Sequence, residues 1–285
     1  METPEPSKPR KRRWSWRQYS LSTLLVVVAI LSVALGVVTS RAERQRRAVA
    51  AIRHSEGWVR YDFEDNGTPD DLPGPDWLCR ILGVDYFADV THVLIGPRGS
   101  DAHLAHLARL TSLQSVRIAP PVSDAGVAHL AGLTSLKELC LFTELTDAHL
   151  AHLARLTSLQ SLYLGGTQIT DAGVAHLAEL TSLKKLDLQG DDWMDAWPLL
   201  HVQLATQVSD AGLAHLAGLK SLEQLHLHSS QVTDAGVGHL ARLTSLEWLH
   251  LCDTRISATG WADLRQALPG CSVEPSCRLC TVTVE

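Results

Sequence analysis

No G-x-S-x-G, no H-E-x-x-H and no glycine-rich phosphate-cradling loop occurs in the 285 residues, so hydrolase, zinc-protease and nucleotide-dependent chemistries find no support here. Serine is abundant, but it sits in recurring LTSL turns. A surplus of positive charge is also missing. The net charge is -6, and the basic side chains that exist concentrate around one apolar run, which argues against nucleic acid as a partner. Cys277 and Cys280 form a C-x-x-C, yet no second such pair accompanies them to complete a zinc site. From Gln18 to Ser40 charge is absent altogether.

That uncharged stretch is the first thing present. Leu21 to Val38 is almost entirely Leu, Val, Ala and Ile, long enough as a helix to cross a hydrocarbon core of about 30 Å. Trp14, Trp16 and Tyr19 stand where an aromatic belt lies at a bilayer surface. A cleaved signal peptide has a shorter apolar core, about 7–15 residues, and Val38-Thr39-Ser40-Arg41 is a poor cleavage site. Residues 18–40 are therefore expected to be a transmembrane helix, preceded by a basic cytoplasmic tail, 1–17. Lys8, Arg10, Lys11, Arg12, Arg13 and Arg17 precede the span, whereas Arg41, Arg44, Arg46 and Arg47 follow it. The excess places the N-terminus inside and the rest of the chain outside the cytoplasm.

Beyond residue 100 the chain repeats itself. Near-copies of DAGVAHLAELTSLKK begin at Asp101, Asp124, Asp147, Asp171, Asp210 and Asp234, in steps of 23, 23, 24, 39 and 24. A unit of about 24 residues is the period of a solenoid, and one copy carries about 15 extra residues. Within a unit, Leu162 and Leu164 alternate as in a strand, while Val174, Leu177 and Leu180 recur as in a helix. The Asp, or the Ser or Thr before it, has the side-chain oxygen of a helix N-cap. One unit cannot bury its apolar face alone, but stacked neighbours can.

The motif L-x-x-L-x-L, closed by an apolar residue such as Ile169, Val232 or Ile256, resembles leucine-rich repeats of the ribonuclease-inhibitor-like, 24-residue type, over residues 90–270. This implies an α/β horseshoe with one strand and one helix per unit. The usual Asn or Cys after the strand is replaced by Thr167, Thr206, Ser230 and Thr254, whose hydroxyls can bond the turn backbone instead. The order of apolar anchor, GWVRYDFE, GPDWLCRILG, YFADV and repeats resembles membrane-anchored leucine-rich proteins of planctomycete bacteria, which implies a bacterial source. Similar repeats form the recognition half of eukaryotic F-box proteins. Nothing before Asp101 resembles an F-box, so only the idea of a recognition surface carries over.

Residues 41–89 are expected to be a juxtamembrane helix and an N-terminal cap. Ala48, Val49 and Ile52 share one side of the helix, Gly57 to Phe63 alternates as a strand, and Trp77, Leu78, Ile81, Leu82, Val84, Tyr86 and Phe87 form a compact apolar cluster. Val90, Val93 and Ile95 supply a first irregular strand. At the far end Ala258 to Leu268 is a degenerate helix stopped by Pro269-Gly270, with an edge strand at Cys271 to Val273 and a tail over 271–285.

The outward positions of the strands fall into three columns. The central one reads Arg117, Cys140, Tyr163, Asp187, His226, His250; the one before it Ser115, Glu138, Ser161, Lys185, Gln224, Trp248; the one after it Ala119, Phe142, Gly165, Gln189, His228, Cys252. Aromatic and Arg side chains in a mixed-charge field suit protein binding. The partner-binding candidates are Arg117, Glu138, Tyr163, Lys185, Asp187, His226, Trp248 and His250, together with Trp193 and Trp197 of the insertion near 189–205. That insertion either anchors a partner or folds back over the solenoid edge. His106, His129, His152, His176, His215 and His239 recur with the unit and lack carboxylate or thiolate partners in register. Asp187, His226 and His250 share a column on strands about 4.8 Å apart, within reach of one ion. The leading expectation is a single-pass membrane protein whose solenoid recognises an unknown protein, with no cofactor and no catalysis. The runner-up is a self-associating envelope protein, and the third reading is a metal-dependent function at Asp187, His226 and His250.

Overall fold

The computed structural model describes residues 21–66, 72–188, 206–228 and 231–274. The basic tail, the insertion with Trp193 and Trp197, Ser230, Cys277 and Cys280 lie outside them. Helix α1 runs from Leu21 to His54 without a proline to interrupt it. It is long and apolar enough to cross a membrane, and its first half exposes its side chains all round, Leu24 to Val38 among them. The second half is amphipathic: Ala42, Gln45, Val49 and Ile52 are buried along one stripe, at helical spacing.

The remaining elements alternate. Strand β1 (Trp58–Tyr61) is followed by α2 (Asp62–Asn66), α3 (Asp76–Leu82), β2 (Val90–Ile95), α4 (Asp101–Leu107), β3 (Ser115–Ile118), α5 (Asp124–Ala128), β4 (Glu138–Leu145) and α6 (Asp147–Leu153). Then come β5 (Ser161–Thr167), α7 (Asp171–Leu177), β6 (Lys185–Asp187), α8 (Asp210–Leu216), β7 (Gln224–His228), α9 (Asp234–Leu240), β8 (Trp248–Cys252), α10 (Ala258–Ala267) and β9 (Ser272–Glu274). All nine strands form one sheet in chain order. β1 pairs antiparallel with β2, and every later pair is parallel. A parallel neighbour needs a crossover, and the repeat's own short helix supplies it.

Register follows the leucines. Val93, Val116, Leu139, Leu162, Leu186, Leu225 and Leu249 pair in sequence from strand to strand. Each is at most 2% exposed. Burying each Leu contributes about 1.5–3 kcal/mol, and a slip by one residue would turn the whole row outward. The insertion leaves the register intact, since Leu186 still pairs with Leu225 and Asp187 with His226. Thr206 closes this coil as expected, its hydroxyl donating to the His228 carbonyl at 2.8 Å.

The helix starts divide the work between two residues. Ser123, Thr170, Ser209, Thr233 and Ser257 are the N-caps, each accepting a backbone N–H of its own helix. At five junctions the Asp that opens a helix reaches forward to the cap of the next unit instead. Asp101 accepts from the Ser123 amide and hydroxyl, Asp147 from Thr170, Asp171 from Ser209, Asp210 from Thr233 and Asp234 from Ser257. These staples pass directly beneath Gly126, Gly173, Gly212, Gly236 and Gly260, where any Cβ would overlap the carboxylate. One junction lacks the glycine. His149 stands in its place at the start of α6; its Nδ1 lies 3.1 Å from the Thr146 amide, and Asp124 is left beside the ring at 3.2 Å.

The cap corrects one expectation. Trp77 and Ile81 are 65% and 71% exposed, and Leu82 is 37% exposed, so they do not join a compact cluster. Trp77 and Ile81 are one turn apart on α3, whose opposite face carries the buried Cys79, and a helix of 7 residues has no further face to bury. The open end of the solenoid is covered by Ala48, Val49 and Ile52 of α1 with Val59 and Tyr61 of β1, all part of the common core. At the other end Leu264 and Leu268 of the last helical turn are buried, with Trp261 and Val273 packed against them.

Candidate functional site

The sheet brings the expected columns together as continuous rows. Arg117, Cys140, Tyr163, Asp187, His226 and His250 are paired neighbour to neighbour, as are Ser115, Glu138, Ser161, Lys185, Gln224 and Trp248. Arg117, Glu138, Tyr163, Lys185, His226 and His250 are half-buried, and Trp248 is exposed at 43%. Trp193 and Trp197 belong to the insertion outside the described residues.

Two groups of polar contacts occupy this face. Near its start, Arg117 Nη2 and Nε donate to one oxygen of Glu138 at 2.8 and 3.1 Å, joining two strands across the first two rows. The Cys140 thiol lies 3.7 Å from that oxygen. Burial first, and then the Glu138 charge, push this thiol far above the ordinary cysteine range. In the protonated form this thiol is a poor nucleophile.

The second group lies toward the other end. His226 Nδ1 is 3.9 Å from Asp187 Oδ2, the His226 and His250 rings meet edge to face at 5.5 Å, and Cys252 Sγ approaches His250 Nε2 at 3.3 Å. His228 Nε2 lies 3.7 Å from Asp253 in the adjacent turn. The candidate Asp187 is only 2% exposed: it sits in register between Tyr163 and His226, whose larger side chains flank it at strand spacing. Among the described residues no three His, Cys, Asp or Glu are placed to hold one metal ion. The shared column brings Asp187, His226 and His250 near one another, with the two rings edge to face.

The histidines of the helices are less uniform than their repetition suggests. His106, His129, His152, His176, His215 and His239 lie partly or wholly exposed along the outer face. His149, in the other helical position, is buried, and its Nε2 has no hydrogen-bond partner among the described residues. The signal for it was the alternation of DAH and DAG, visible at Asp147 against Asp171. Among the described residues Cys79, Cys140 and Cys271 form no disulfide, and Cys277 and Cys280 lie outside them.

A family model described as Leucine Rich repeat matches residues 155–178, which is one unit. No curated protein shows significant similarity to the chain. Among solved structures it is similar to an internalin (InlF) of Listeria monocytogenes, at 25% identity and a TM-score of 0.45, over 59% of this chain and 43% of that one. It is also similar to internalin C2 of Listeria monocytogenes, at 23% identity and a TM-score of 0.41, over 67% of this chain and 82% of the other. A plant peptide hormone receptor, RGFR1 in complex with RGF2, aligns at 16% identity and a TM-score of 0.37, over 60% of this chain and 29% of the receptor. The chain thus spans less than half the length of the InlF structure it matches. The matched unit runs from the end of α6 through β5 to α7, and the same strand and helix succession recurs along the sheet, a leucine-rich repeat solenoid.

Proposed function

We propose that this is a membrane-anchored recognition protein: residues 18–40 cross a bilayer, the basic tail 1–17 stays in the cytoplasm, and the solenoid meets a protein partner outside it. The long apolar first half of α1, followed directly by the cap and the repeats, supports the arrangement. One observation carries the binding reading. The open face of the sheet presents a row of paired, partly exposed side chains that includes Trp248, a large aromatic left 43% exposed on β8. Exposed aromatics and Arg on a fixed scaffold are the usual anchors of a protein interface, and the surface is mixed in charge as such interfaces are. Arg117, Glu138, Tyr163, Lys185, His226, Trp248 and His250 make the contacts, and Asp187 serves beneath them by holding His226. Trp193 and Trp197 of the insertion are further contact candidates. No catalysis is assigned to it.

The test uses the full chain in lipid nanodiscs, with and without Trp248→Ala and Arg117→Ala, and with Glu179→Ala on the exposed helical side as control. Capture of one discrete partner that is lost with the two face substitutions, and kept with the control, supports recognition. Capture indifferent to them refutes it. Ordered assembly of the chain with itself, abolished by the same substitutions, replaces it by the self-associating envelope reading.

A further inference from the structure

Helix α1 passes from apolar span to solenoid cap without a linker. Val38 still belongs to the exposed apolar run, and Ala42, four residues later, is buried against the cap. At 1.5 Å per residue this is a rise of about 6 Å. The headgroup layer on each side of a bilayer is itself about 5–8 Å deep. Some part of the cap must therefore sit within that layer if α1 spans the membrane.

The cap is fastened along α1 by several bonds. Gln45 donates to the Ala88 carbonyl at 2.8 Å and to Asp85 at 3.2 Å, Arg41 pairs with Asp89, and Arg46 donates to the Leu82 carbonyl while lying over the Tyr86 ring. Gly83, at φ 91°, lies so close to Arg46 that a side chain there would meet the guanidinium. Phe87 lines a cleft with Val38 and Arg41 at the end of the apolar run. The turn before α3 rests on Phe87 in its turn: a Cβ on Gly74 would lie 3.6 Å from its ring. Helix α3 thus begins beside the level at which α1 leaves the apolar run.

What α3 shows at that level is apolar. Outside α1, the large apolar side chains exposed among the described residues are Trp58, Leu72, Trp77, Ile81, Leu82 and Trp248, and four of these lie within 72–82. Trp77 and Ile81 form one face, with the exposed Arg80 beside them. Trp prefers the bilayer interface, and an Arg at the edge of such a face can reach lipid phosphate. We propose that the Trp77 and Ile81 face of α3 is a second membrane contact, seated in the headgroup layer of the leaflet from which α1 emerges. It rests on the reading of residues 18–40 as a span. With two attachments instead of one, the solenoid is held at a fixed tilt, which sets the direction in which its concave face looks.

The test is depth quenching with the full chain reconstituted into phosphatidylcholine vesicles, plain or brominated high on the acyl chains. Eight tryptophans are present, so the emission of Trp77 is taken as the difference between wild type and Trp77→Phe, a conservative change at an exposed position. Loss of most of that difference emission in brominated lipid is the expected result. An unquenched difference from a chain that floats with the vesicles overturns this inference alone, and a blue-shifted but unquenched one assigns the face to protein contact. A chain that fails to float with the vesicles overturns the membrane anchor as well.

Discussion

Replacing Gly173 by Ala sets two effects against each other with opposite signs. Ala is the better helix former by about 0.8–1.0 kcal/mol, so by propensity alone the substitution stabilises α7. In the fold, the new Cβ would overlap Asp147 Oδ1, with Asp147 Cγ and Ile169 Cγ2 only 3.0 and 3.1 Å away. Asp147 must then give up the Thr170 amide at 2.9 Å and the Thr170 hydroxyl at 2.6 Å. Bonds to a charged group contribute about 1.5–3 kcal/mol each, and for this partly exposed pair the lower figure applies, about 3 kcal/mol together. The net expectation is a loss of about 2 kcal/mol. Denaturant unfolding of the full chain in detergent, for Gly173→Ala, Asp147→Ala and the double variant, gives the coupling directly. With Asp147 already gone, Gly173→Ala should turn neutral or stabilising. A stabilised single variant, or absence of coupling, would refute the staple. The protein contains its own control at α6, where His149 fills the glycine position and Asp124 makes no bond to Thr146 but lies 56% exposed.

Three further outcomes follow from the same contacts. Asp101 and Asp234 are held below the ordinary carboxylate value, each first by the Ser hydroxyl that donates to it and then by that Ser's amide. Their stabilisation is complete above the unfolded value of about 3.9 and is lost as pH falls through the lowered folded values, so Asp101→Asn with Asp234→Asn should flatten acid unfolding curves. Leu162→Ala, at a fully buried position of the central ladder, should cost about 2–5 kcal/mol by the same unfolding assay. Cys140, its thiol raised by burial and by Glu138, should resist alkylation at neutral pH in the native protein and label readily in denaturant. Labelling at equal rates in both states would contradict its position under the concave face.

Much of the architecture was legible in the chain itself. Six copies of one unit fix the period, the period fixes the order of strands, and the alternation of leucines fixes which side of each strand faces inward, because all of these depend on residues close in sequence. Even the pairing of Asp187 with His226 across the insertion follows from this pattern, since the inward leucines on either side demand the same register. The third dimension decided what passes between units or between distant segments. Whether the Asp caps its own helix or ties down the next depends on the space beneath a glycine 25 to 41 residues away, and that space exists only once the coils are stacked. Burial of Asp187 and Cys140 on a face that reads as outward depends on neighbours brought alongside at strand spacing. The exposure of Trp77 and Ile81, and the use of α1 to close the solenoid in their stead, depends on competition for one open end. Composition names the apolar candidates, and only the packed geometry selects which of them the core accepts.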